Sequence, residues 1–309
     1  MSDLKGVCDL DAGVAGKASK RFGVPACNKI EDVLRKDVDA VVLSTPTVTH
    51  RELALAAIKA GKHVLVEKPL AGSVVEAREI AEAAAKQGVV LAVGHIERHN
   101  PAVKYVQKAM MSGQYGRIIS ILAKRVSSFP GRIHDVGVVI DLAIHDIDVI
   151  RYVTRGKVES VFASGGSQLQ GKHEDYANIM LMLEGGVIGV IETNWLTPVK
   201  IRLLKLTCSQ KYVEADYIGQ TVDVASSTLL DLDPTNLYQI PQEYDHRHVT
   251  LKKQEPLKNE MVDFLDSIDK KRKPLVTGED GIEAVRIAEA ALESIRERKV
   301  VGLEGFQAG

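Results

Sequence analysis

The chain has 309 residues, is 45% hydrophobic and 26% charged, and so has room for one large or two ordinary globular domains. A formal net charge of −1 gives no electrostatic basis for binding nucleic acid or an anionic membrane. Cys8, Cys27 and Cys208 are scattered without a C-x-x-C pair, no apolar run approaches roughly 18–20 residues, and no signal peptide is read, so a reduced, cytoplasmic protein is expected.

In chain order, the first third alternates between two periods. Residues 4–8 read as a strand, 12–22 as a helix and 30–34 as a short helix. The unbroken apolar run at 39–44 predicts a buried strand. A helix follows at 50–60 and ends at Gly61. Residues 63–66 are the next strand, 74–86 a helix ended by Gly88, and 89–93 another strand. Strands separated by helices predict a parallel sheet.

After about residue 115 the pattern changes. Asn100-Pro101 starts a helix, with asparagine as cap and proline in the first turn. A strand follows at 118–126, then a long helix capped by Asp135 and running to about Tyr152. Strands are expected at 158–163, 177–183, 187–193, 201–207 and 212–216, with Glu184-Gly185-Gly186 as a hairpin turn. Consecutive strands imply an antiparallel sheet. Two helices close the chain: Leu257, Met261, Leu265 and Ile268 share a face of the first, and Ile282, Val285, Ala288, Leu292 and Ile295 belong to the second. The expected architecture is α/β. A Rossmann-type parallel domain spans residues 1–115, and an α+β domain on an open, mainly antiparallel sheet spans 116–309.

Ligands of open α/β sheets bind at the carboxyl ends of the strands. Asp9 follows the first strand, where a carboxylate accepts from ribose hydroxyls and favours NAD over NADP. A helix cap is the competing role. Ser44, Thr45 and Pro46 make a tight loop leading to His50 at a helix N-terminus, suited to a polar ligand or to an ordinary capped turn. Glu67-Lys68-Pro69 places a charged pair at the end of a buried strand, with a structural ion pair as the alternative. The stretch from Gly94 to Pro101 is polar and includes Arg98 and Asn100. Its two histidines and glutamate lack the spacing of a helical zinc motif, so no metal is expected.

Asp141, His145 and Asp148 recur at i, i+4 and i+7 in an otherwise apolar helix. A histidine with a carboxylate one turn away can act as a general base, whereas an isolated one is usually a satisfied core residue. Lys68 and the carboxylates favour function here. Asn194 and Trp195 end a sheet strand with polar and aromatic groups, and Arg125 and Arg132 flank a serine- and glycine-containing loop. Surface or packing roles are equally open to these.

Taken together, Thr45-Pro46-x-x-x-His50, Glu67-Lys68-Pro69, Asn100-Pro101 and Asp141-x-x-x-His145 resemble the glucose–fructose oxidoreductase / inositol dehydrogenase / MocA family over essentially the whole chain. The stretches at 135–148, 174–178 and 191–198 extend the likeness through the second domain. The resemblance implies NAD-dependent oxidation of a ring hydroxyl on a nucleotide-linked amino sugar, foremost the 3-hydroxyl of UDP-N-acetylglucosamine. It implies Lys68, Asp141 and His145 as the catalytic residues, with Lys68 or His145 as the base. Asp9, Ser44, Thr45, Pro46, His50, Glu67 and Lys68 would bind the cofactor. Arg98, Asn100, Arg132, Asn194 and Trp195 would serve the substrate. It also implies a homo-oligomer, dimer or tetramer, formed through the open sheet.

The chain departs from the family in one respect. The family begins with a strand and G-x-G-x-x-G ahead of the strand that ends at Asp9. That unit is absent here, and Gly13-Val14-Ala15-Gly16-Lys17 lacks its spacing. A sheet without this central strand is expected to hold a gap of about 9–10 Å. A truncated reading frame is one expectation from this, and a homologue that binds sugar or cofactor without catalysis is the other. A dehydrogenase of a free sugar or inositol is a further alternative.

Overall fold

The computed structural model describes residues 2–35, 37–131, 136–169, 171–229 and 242–306. The predicted alternation is realised in the first third as β1 (Val7–Cys8), α1 (Ala12–Phe22), β2 (Ala26–Cys27), α2 (Ile30–Leu34), β3 (Ala40–Leu43), α3 (His50–Lys59), β4 (His63–Glu67), α4 (Val74–Gln87) and β5 (Leu91–Gly94). Local chemistry sets the helix ends. Asp11 accepts from the N–H groups of Gly13 and Val14 to start α1, and Ser73 accepts from Glu76 to start α4. Gly23 and Gly88 close these helices in the left-handed region, at φ 66° and 69°.

Strands β3, β4 and β5 form a parallel sheet in that order. Its centre is apolar on both faces, with Val64, Leu65 and Val66 all buried. Strands β1 and β2 pair in parallel as a separate sheet. Among the described residues no ladder joins β1 to β3. The strand predicted over 4–8 shortens to Val7–Cys8, because its backbone is paired only where β2 runs beside it.

The rest of the chain supplies α5 (Pro101–Met111), β6 (Ile118–Ser128), a π turn (Val139–Ala143) running straight into α6 (Ile144–Thr154), β7 (Val158–Gly166), β8 (Tyr176–Leu183), β9 (Val187–Asn194), β10 (Leu196–Cys208), β11 (Tyr212–Asp216), β12 (Thr221–Leu229), β13 (Gln242–Thr250), α7 (Pro256–Asp269), α8 (Gly278–Glu297) and β14 (Val301–Gly302). Nine strands form one sheet in the order β13-β12-β11-β10-β6-β9-β8-β7-β14. Only β6 and β9 pair in parallel; the other neighbours are antiparallel. One face is core: Ile121, Ala123, Ile179, Leu181, Ile191, Leu204 and Leu206 are buried. Helix α6 packs against β6 and β9, and α5 against β11 and β12. The opposite face carries Phe162, Met180, Ile188 and Leu122, all exposed. Strand periodicity places every second residue on each face.

The sequence places the division near residue 115. The chain forms two compact units, residues 1–94 with 260–285, and 95–259 with 286–309. Two features account for this. The turn at Ile96–His99 sends Glu97 and Arg98 into ion pairs with Arg125 and Asp148 of the second unit. Helix α7 returns to the first unit, where Phe264 forms a cluster with Leu65 and Ala92 and Met261 and Ile268 pack against it. Leu257, expected on the same face, is exposed.

Candidate active site

In the first unit the candidate residues gather at the carboxyl ends of the strands. Asp9 follows β1 and is exposed; its carboxylate accepts from the Asp11 N–H at 2.9 Å, and Asp11 is the helix cap. Ser44, Thr45 and Pro46 are exposed after β3. His50 is buried at the start of α3. One ring nitrogen faces the Pro69 carbonyl at 2.8 Å and the other the Thr45 carbonyl at 2.9 Å. His50 therefore ties the loop after β3 to the turn after β4.

Glu67 ends β4 opposite Gly94 of β5. A Cβ on Gly94 would lie 2.8 Å from the Glu67 carboxylate, so glycine lets that side chain fold back over β5. There it accepts from the Lys68 N–H at 3.3 Å. Burial pushes the Glu67 carboxyl up, against the pull of Lys68. The Lys68–Pro69 peptide bond is cis.

In the second unit Asp141 lies in the π turn and His145 in the first turn of α6. Both are half-buried, while Leu142, Ala143 and Ile144 between them are buried. The sequence predicts a regular helix here. The π turn is a device common at functional sites, and four residues still bring side chains to one face of it. The expected cap, Asp135, lies outside the described residues. The turn is anchored from elsewhere: the Glu174 carboxylate accepts from the Val139 N–H at 3.0 Å, and its carbonyl from the Val138 N–H at 3.0 Å. Any Cβ on Gly137 would fall inside the Glu174 carboxylate. The sequence reading did not assign a role to Glu174 or Gly137.

The other acids of α6 are held by arginines. Asp146 receives two hydrogen bonds from Arg125, at 2.7 and 3.2 Å, and Glu97 takes a third at 3.0 Å. Burial opposes the Arg125 charge, but Asp146 and Glu97 outweigh it and hold its pKa above the ordinary arginine value. Asp148, grouped with Asp141 and His145 by its spacing, receives the Arg98 guanidinium in a bidentate pair at 2.8 and 2.6 Å. Arg98 also stacks over Tyr152.

Asn100 caps α5 through Ala102 and donates to Glu97 and to the Tyr217 carbonyl. Asn194 accepts from Leu196 and Thr197 in a turn between β9 and β10. Trp195 is buried with its ring edge against Phe129. The structure thus places Arg98, Asn100, Asn194 and Trp195 in contacts that build the second unit. Arg132 lies outside the described residues.

Two cations that sequence reading passed over lie on β10. Arg202 is the register partner of Arg125, and its guanidinium is 3.8 Å from Glu97. Lys200 precedes it by two residues and is exposed. The β6–β10 ladder shifts register between Leu196 and Ile201.

Strands separated by helices, with a carboxylate and polar turns at their carboxyl ends, are the arrangement in which open α/β sheets bind nucleotide ligands. A model described as an oxidoreductase family with an NAD-binding Rossmann fold matches residues 2–95. The C-terminal domain models of the same family match residues 103–224 and 224–303. The chain is 30% identical to UDP-N-acetylglucosamine 3-dehydrogenase of Acidithiobacillus ferrooxidans over 95% of its length and 89% of that protein. The solved structure of that enzyme superposes with a TM-score of 0.86, covering 96% of this chain and 91% of that one at 27% identity. Myo-inositol 2-dehydrogenase of Thermotoga maritima is 28% identical over 97% of this chain and 91% of that protein. The chain belongs to the GFO/IDH/MocA family of NAD-binding oxidoreductases that act on sugars and polyols.

Proposed function

We propose that the chain oxidises a ring hydroxyl of a sugar, and that the hydroxyl is the 3-hydroxyl of UDP-N-acetylglucosamine or of a related nucleotide sugar. The observation that carries the reading is the half-buried Asp141–His145 pair on a π turn held by Glu174. The likeness to the Acidithiobacillus enzyme over nearly the whole chain supports the nucleotide sugar.

The residues at the strand ends fit the cofactor's outer parts. Asp9 offers an exposed carboxylate to ribose hydroxyls, and the Ser44–Pro46 turn offers exposed polar groups. No G-x-G-x-x-G occurs in residues 1–309. NAD, when bound, supplies the hydride acceptor. His145 takes the hydroxyl proton as general base, Asp141 orients the imidazole, and the Lys68 ammonium stabilises the oxygen as negative charge develops.

The test is NADH formation with UDP-N-acetylglucosamine, set beside myo-inositol. Turnover with the nucleotide sugar is expected, with losses of about 10²-fold or more in His145→Ala and Lys68→Ala. Absence of turnover with every sugar tried would overturn the dehydrogenase. Binding of the sugar without turnover, measured by calorimetric titration, would then assign the chain to a protein that binds sugar without oxidising it.

The same reading includes a homo-oligomer formed through the outer face of the nine-stranded sheet. Phe162, Met180, Ile188 and Leu122 lie on adjacent strands and are each at least 40% exposed, an apolar patch of the kind that marks an interface. Light scattering should report a dimer or tetramer, reduced to a monomer in Phe162→Asp/Met180→Asp. A monomeric wild-type protein would overturn this.

A further inference from the structure

The proposed reaction leaves two cations of the second unit without a role. Arg125 and Arg202 are register partners on neighbouring strands and so share a face of the sheet. Their surroundings differ. Arg125 is buried and is matched by Asp146 and Glu97. Among the described residues, the Arg202 guanidinium is matched only by the Glu97 carboxylate at 3.8 Å, beyond hydrogen-bonding distance, and its side chain is 31% exposed.

Lys200 precedes Arg202 by two residues and is drawn into the same field. It is exposed and forms no ion pair with a described residue. It lies in the irregular stretch of the β6–β10 ladder, and such breaks recur beside active sites, where they re-aim a side chain.

The neighbouring cations oppose one another here. The Lys200 pKa is lowered first by Arg202 and then by burial. That of Arg202 is lowered by burial and by Arg125, against the opposing pull of Glu97, Asp146 and Asp141. A bound anion would relieve this repulsion. Arg202 lies 3.8 Å from Glu97, which pairs with Arg125 at 3.0 Å, and Arg125 in turn pairs at 2.7 Å with Asp146, the residue after His145 on α6.

We propose that Lys200 and Arg202 form an anion-binding subsite beside the Asp141–His145 turn, which takes the phosphate or carboxylate oxygens of a charged sugar. Arg202 presents a planar fork to two such oxygens, and Lys200 adds a mobile point charge. The inference rests on the reading of the protein as a sugar dehydrogenase and deepens it: the enzyme selects an anionic sugar over a neutral polyol.

The experiment measures binding without turnover. The intact chain is titrated calorimetrically with UDP, with glucuronate and with myo-inositol, as wild type, Lys200→Glu and Arg202→Lys. Lys200 is exposed, so its reversal should leave the thermal midpoint unchanged. UDP, glucuronate or both should bind the wild type, and weaken by about tenfold or more in Lys200→Glu. Arg202→Lys should cause a smaller loss, because charge is kept and the fork is not. Binding of UDP alone assigns the subsite to phosphate, and of glucuronate alone to carboxylate. Affinities within twofold of wild type in a folded Lys200→Glu, or no binding of either anion to the wild type, would overturn the subsite. Turnover of a neutral sugar unaffected by Lys200→Glu would leave the oxidation itself standing.

Discussion

Glu260 lies on α7 with 3% exposure, and neither of its carboxylate oxygens has a hydrogen-bond partner among the described residues. Burial, aided by the charges of Glu67 and Asp263, pushes its carboxyl up from 4.5 to about 8. The folded state therefore binds this proton more tightly than the unfolded chain does. The resulting stabilisation is full below about pH 4.5 and is lost as pH rises through about 8. Glu260→Gln should flatten the fall in melting temperature across that window, by an amount corresponding to a few kcal/mol. An unchanged pH profile would show that Glu260 ionises freely. Arg98 makes the opposite kind of prediction. It and Asp148 are both buried in a bidentate pair, so Arg98→Ala leaves a carboxylate without that partner. About 3–5 kcal/mol of stability should be lost, read from denaturant midpoints. A change confined to substrate affinity would instead assign Arg98 to ligand.

At the scale of elements, the π turn depends on a residue 35 positions further along the chain. Gly137→Ala would drive a methyl group into the Glu174 carboxylate and displace the acceptor of the Val139 N–H. The expected outcome is a lower kcat with little change in KM, because His145 and Asp141 would lose register with each other. A similar fall in Glu174→Ala, partly rescued in Glu174→Gln, would tie the effect to that hydrogen bond. This anchor explains which elements could be read in advance. The caps of α1, α4 and α5 act over two or three residues, and Asp11, Ser73 and Asn100 announce them. The π turn has the same apolar pattern as a regular helix, and its cause lies far away in sequence. Strands β12 and β13 were also missed. Tyr244 and His248 on β13 are exposed, so the edge lacks the apolar alternation that marks a buried strand.

At the scale of the whole molecule, the order of parallel and antiparallel elements was legible because helix and strand periods differ. The grouping of α7 with the first unit was not. Helix α7 leaves the second unit and supplies Phe264 to the core of the first, a pairing set by long-range packing. Two local patterns of candidate residues were legible: Glu67-Lys68 ends a strand of the first unit, and Asp141 and His145 lie four residues apart in the second. Their supports were not, because Arg125, Arg202 and Glu174 meet their partners only through the fold.

The separation of β1–β2 from β3–β4–β5 has a kinetic consequence. Only Ala15 of α1 is buried, while Val14 and Phe22 are exposed, and β1 and β2 contribute two residues each. This lobe has few hydrogen bonds and little apolar contact with which to resist opening. In native-state hydrogen exchange its amides should exchange through local openings, well before those of Val64 and Val66 at the centre of the neighbouring sheet. A protease should likewise nick the first lobe while β3–β4–β5 remains intact.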